Sequence, residues 1–141
     1  MSSALRIFLP PTLAMVALSY TVAFSILATR SADLVLNKRP VAYHEDFDTA
    51  SWPVWLMRPT RQLANLFEFP VLFYALTSIA ISAGLRDSLL AKLCWAYAGL
   101  RYAHAVIHIL YNRLWLRMPL FITGNLLLAS GWILLAVKTL S

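Results

Sequence analysis

The chain has 141 residues, 60% of them hydrophobic and only 13% charged, with a formal net charge of +6 and a mean hydropathy of +0.68. A soluble domain carries about 25% charged residues, so too few are present here to cover a water-soluble particle. A soluble enzyme, a disordered tail and a disulfide scaffold are excluded, which leaves an all-α integral membrane protein.

The first apolar run, Ile7 to Ala28, contains no charge and carries Pro10 and Pro11 in its opening turns, where proline is tolerated. It is longer than the usual signal-peptide core of about 7–15 residues, and no small-x-small cleavage site follows. It reads as a retained span. Residues 29–62 form a long polar loop with Pro40, Pro53 and Pro59 and an acidic patch at Glu45, Asp46 and Asp48. Three further runs are long enough for the roughly 20 residues that cross a bilayer: Leu63 to Leu85, Leu89 to Tyr111 and Leu114 to Val137. Short links at Arg86-Asp87-Ser88 and Asn112-Arg113 make consecutive helices antiparallel neighbours. The expected architecture is one four-helix transmembrane bundle over residues 1–141.

The 12 lysines and arginines lie mostly at the ends of these runs rather than in a patch, so nucleic acid is not an expected partner. Arg30, Lys38, Arg39, Arg58, Arg61, Arg113 and Arg117 fall on one side, and Arg6, Arg86, Lys92 and Lys138 on the other. The positive-inside rule places the long loop in the cytoplasm and both termini outside it. Cys94 is the sole cysteine, so no intrachain disulfide forms.

Polar groups inside the spans are costly in hydrocarbon and point to function. Arg61, Asn65 and Glu68 recur at spacings of four and three on one face of the second helix, and Tyr97, Arg101, His104, His108 and Tyr111 form a similar stripe on the third. At about 1.5 Å per residue, Glu68 and His104 both sit about 10 Å in from the long-loop side. Arg30 at the end of the first helix and Arg117 at the start of the fourth reach the same level. The inventory is several cations and one carboxylate. Arginine forks bind carboxylates and Glu68 suits an ammonium group, so a ligand with two carboxylates and an amine, such as glutathione, fits better than a phosphate or a fatty-acid headgroup. Plainer readings exist for each residue. Arg61 and Arg117 can be snorkelling anchors, Glu68 and Arg101 a structural ion pair, and His104 an interhelical hydrogen-bonding group. His104 and His108 have the spacing of a metal pair, but no acidic or sulfur ligand shares their face, so no metal is expected.

The string Arg61-x-x-x-Asn65-x-x-Glu68-Phe69-Pro70-Val71-Leu72-Phe73 resembles the second-helix signature of the MAPEG family, the membrane-associated proteins of eicosanoid and glutathione metabolism. Leu100-Arg101-Tyr102-Ala103-His104-Ala105-Val106-Ile107-His108, running on to Tyr111-Asn112-Arg113, is similar to its third-helix motif, in the form found in microsomal glutathione transferase and prostaglandin E synthase. The resemblance implies a homotrimer of four-helix bundles with glutathione between subunits near the cytoplasmic face. Arg61, Asn65, Glu68, Arg101, His104 and His108 would bind the tripeptide, with help from Arg30, and Arg117 would stabilise its thiolate. Two positions depart from the pattern: His108 stands where better-known members carry tyrosine, and Met118 where the prostaglandin synthase has serine. The long first loop looks like that of bacterial members, which implies an inner-membrane location.

The leading expectation is therefore a glutathione transferase or peroxidase acting on lipophilic electrophiles drawn from the lipid bilayer. The alternative is a non-catalytic member that binds lipid or a partner protein. A proton-coupled drug exporter is disfavoured because the first helix lacks a glutamate.

Overall fold

The computed structural model describes residues 3–40, 43 and 52–140. The acidic patch at Glu45, Asp46 and Asp48 lies outside them. Every regular element among the described residues is helical: α1 (Ser3–Leu36), α2 (Val54–Phe67), α3 (Pro70–Ser82), α4 (Ser88–Val106), a π-helical turn (Ile107–Tyr111) and α5 (Leu114–Leu140).

Helix α1 does not stop at Ala28 but runs to Leu36, so Arg30 lies within it. Residues 29–36 contain no helix breaker, and apolarity alone fails to mark where such a helix ends. Termination comes at Asn37 and Lys38, the latter at φ 49°, with Pro40 just beyond. Polar contacts hold this extension. Asp33 is fully buried and accepts from Asn37 Nδ2 at 2.6 Å, with Arg39 Nε 3.7 Å away. Arg30 lies over the ring of the buried Trp52 at 4.9 Å.

The second span begins at Val54 rather than Leu63, so residues 54–62 of the expected loop are helical with Pro59 inside the helix, and it is two helices rather than one. Proline at position 70 has no N–H to donate to the Leu66 carbonyl, and its ring would clash with it. The chain breaks at Glu68 (φ −87°, ψ −103°) and restarts with Pro70 in the first turn of α3. Helix α3 ends in a Schellman arrangement, Leu85 N–H donating to Ala80 O and Gly84 N–H to Ile81 O, both at 3.0 Å. Gly84 takes the left-handed conformation this requires (φ 67°). Asp87 then caps α4, its carboxylate accepting from Leu90 N–H at 2.8 Å and lying 3.4 Å from Lys138 Nζ. The Leu90 amide, and after it the Lys138 ammonium, hold the Asp87 carboxyl below its ordinary value.

Packing follows a repeat of four and three. Helix α1 buries Ala4, Phe8, Pro11, Met15, Leu18 and Val22, and α5 buries Gly124, Leu128, Gly131 and Leu135. That spacing keeps one seam of each helix facing its neighbours. In lipid, helices associate through close packing rather than through hydrophobic burial, which favours small residues at contacts. Gly131 is such a contact: a Cβ there would meet Leu76 Cδ1 at 3.2 Å and Leu90 Cδ1 at 3.6 Å. Phe73 of α3 stacks on Tyr97 of α4 with centroids 5.0 Å apart.

Three helical stretches are long and apolar enough to cross a membrane: Ser3–Leu36, Val54–Ser82 and Leu114–Leu140. The expected fourth span corresponds to α4 and the π turn, where Lys92, Arg101, His104 and His108 interrupt the apolar sequence.

Candidate functional site

The buried seam of α4 changes character partway along. Leu90, Cys94, Tyr97 and Ala98 are apolar or aromatic; the same seam then continues as Arg101, His104 and, in the π turn, His108. Arg101 and His104 are each 2% exposed and His108 is 3%. Arg101 Nε donates to Tyr97 Oη at 3.0 Å, Nη2 reaches Asn125 Oδ1 of α5 at 3.5 Å, and the guanidinium lies 5.2 Å from the Phe121 ring centre. Phe121 also packs against His104, at 5.8 Å, and edge-on against Phe69, at 5.6 Å. The His104 and His108 rings are 5.7 Å apart.

On the other side of His108 stands α2. His108 Nδ1 is 2.6 Å from Oε1 of the fully buried Gln62 and 3.4 Å from Asn65 Nδ2. Arg58, one turn earlier on α2, donates through Nη1 to Leu110 O at 3.0 Å and Ile109 O at 3.4 Å. These carbonyls belong to the π turn, whose wider winding leaves them in need of donors. Asn112 closes the turn in a left-handed conformation (φ 50°, ψ 33°), as asparagine commonly does. Its Oδ1 accepts from Arg117 Nη1 at 3.0 Å.

Between α2, α4 and α5 lies a cleft of about 210 Å³ lined by Asn65, His104, Arg117, Met118 and Phe121. Arg101 Nη1, His104 Nδ1 and Gln62 Nε2 are buried without a hydrogen-bond partner. A buried polar group left unpaired costs about 1–3 kcal/mol, and more when charged. Such groups beside a cleft are chemically suited to an acceptor-rich ligand.

Of the residues singled out in the sequence, Asn65, His104 and Arg117 line the cleft, and Arg101 and His108 are buried on its α4 side. Arg61 and Glu68 are exposed on this chain. Glu68 borders a separate depression with Phe69 and Leu72, at the break before Pro70. Arg30 stacks on Trp52 and is not part of the cleft lining. Glu68 and Arg101 form no ion pair, since Arg101 is enclosed by Tyr97, Asn125 and Phe121 while Glu68 is exposed. Sequence reasoning missed Gln62, Asn125, Phe121 and Arg58. Asn125, an amide inside an apolar helix, carried the same signal as Asn65. Gln62 was marked only by its place between Pro59 and Leu66 on the buried face of α2.

Three stretches of membrane-crossing length define an α-helical integral membrane protein, and this one carries a buried polar cluster beside a cleft edged by Arg117. The sequence profile of the MAPEG family matches residues 8–137, nearly the whole chain. The chain belongs to the MAPEG family. Searches of curated proteins and of solved structures returned no match.

Proposed function

We propose that this protein is a membrane-embedded glutathione-dependent transferase or peroxidase acting on lipophilic electrophiles. In this reading α4 with its π turn is a fourth span, and three chains assemble around glutathione sites near the cytoplasmic face. The observation that carries it is the pair of buried, unpartnered nitrogens, Arg101 Nη1 and His104 Nδ1, beside a cleft rimmed by Arg117. Trimer formation gives Arg61 and Glu68 a partner surface: both are charged and exposed on the lone chain, an expensive position within lipid.

Glutathione supplies a thiol nucleophile. The chain's residues do the rest. Arg101 donates to a carboxylate from within the bundle, where low dielectric strengthens the contact. Asn65 and His104 orient the ligand from α2 and α4. The Arg117 guanidinium favours the ionised form of a thiol placed next to it and stabilises negative charge as it develops during attack.

Calorimetric titration of detergent-solubilised protein with glutathione tests the reading. Saturable binding is expected, weakened about tenfold by Arg117→Ala and by Arg61→Ala, the order of a charge-assisted contact. No binding at millimolar glutathione contradicts it and leaves the non-catalytic, lipid- or partner-binding reading.

A further inference from the structure

The contact between α2 and the π turn contains a conflict that only one proton position resolves. His108 Nδ1 faces Gln62 Oε1 at 2.6 Å and Asn65 Nδ2 at 3.4 Å. A ring nitrogen of a neutral imidazole carries either a proton or a lone pair. Toward the Gln62 carbonyl oxygen it must donate, and toward the Asn65 amino group it must accept. The distances decide between them. At 2.6 Å the first is a short, strong hydrogen bond, whereas 3.4 Å is beyond the ordinary N–H···N range. Gln62 is fully buried, so no solvent competes for its oxygen.

We propose that Gln62 is a positioning residue of the cleft. By holding the proton on His108 Nδ1, it denies Asn65 an acceptor on that ring and leaves the Asn65 amide free to donate into the cleft it lines. Without Gln62, the other tautomer presents an Nδ1 lone pair that captures the Asn65 amino group and turns it from the ligand. His108 then acts through Asn65 rather than by touching the ligand, in keeping with its burial and its absence from the cleft lining. The ligand-binding consequence rests on the glutathione reading; the tautomer and the state of Asn65 do not.

The test is nitrogen NMR of histidine- and asparagine-labelled protein in detergent, with His44→Gln and His104→Gln used to assign the three rings. In the wild type, His108 Nδ1 is expected to be pyrrole-type and Nε2 pyridine-type. Gln62→Leu exchanges the two and shifts the Asn65 side-chain amide, while Gln62→Glu, which keeps an acceptor oxygen, retains the wild-type pattern. Glutathione affinity falls about tenfold in Gln62→Leu, as expected for a lost polar contact; Asn65→Ala matches it, and the double variant falls no further. A wild-type ring without pyrrole-type Nδ1, or an unmoved Asn65 amide in Gln62→Leu, overturns the proposal. Absence of glutathione binding in the wild type sinks the ligand reading alone, and the spectra still decide the role of Gln62.

Discussion

The two halves of α4 share one buried seam and differ in almost everything else. Around Leu90 and Cys94 the bundle is regular: α3 ends in a Schellman turn at Gly84, Asp87 caps α4, and Gly131 admits Leu76 and Leu90 at close range. Around Arg101, His104 and His108 the backbone is irregular at three points, the break at Glu68, the π turn at residues 107–111 and left-handed Asn112. Polar side chains on that half leave Arg101 Nη1, His104 Nδ1 and Gln62 Nε2 unpaired; on the other half the helix ends are satisfied by caps and Trp132 Nε1 is unpaired. The contrast separates a regularly packed half from the half that carries the proposed site, and local irregularity and unpaired polar groups are common where sites are assembled.

The contrast breaks most sharply at Arg101. Arg101→Met removes a buried cation while keeping much of its volume. Glutathione affinity should fall by about a hundredfold, the upper range for a charged hydrogen bond, while thermal stability holds or rises because replacing a buried charge by an apolar group is often neutral or better. A large loss of stability instead would mean that Arg101 serves the fold. In the packing half the reverse is expected. Gly131→Val forces a side chain against Leu76 and should cost about 1–3 kcal/mol of stability, the usual range for overpacking, with ligand affinity unchanged; denaturant unfolding and calorimetry read the two separately.

The smallest effect is electrostatic. The Asp87 carboxyl is held below its ordinary value in the folded chain. A depressed folded pKa contributes stability that is present above the unfolded pKa and is lost as pH falls through the folded one. Asp87→Asn, which keeps a capping oxygen, should therefore match the wild type below the folded pKa and be less stable above about pH 4. The difference should stay under about 1 kcal/mol, because the group is solvent-screened. Thermal melts across that acid range measure it.

Much of this contrast could be read from the sequence. Composition alone indicates a helical membrane protein, and the four-three spacing places Tyr97, Arg101, His104 and His108 on one buried face; Tyr111, the last residue of that stripe, is exposed instead, at the end of the π turn. Helix α1 was underestimated because hydropathy ends at Arg30 while helix-forming residues continue to Leu36. The apolar run gives no sign of the break before Pro70, and the face shared by Arg61 and Glu68 is exposed on this chain rather than turned into the bundle. Gln62 and Arg61 differ by one position on α2, and choosing which is buried requires knowing that Pro59 and Leu66 face inward. The π turn has no sequence signature: it is held by Arg58 from a different helix, a contact across residues far apart in the chain.

The central claim is that the irregular half is a cationic receptor for carboxylates. Calorimetry comparing glutathione with its diethyl ester on wild-type protein addresses it directly. Binding of glutathione at least tenfold tighter than of the ester is the predicted result, about one charge-assisted contact. Equal affinity for the two, or no binding of either, would contradict it.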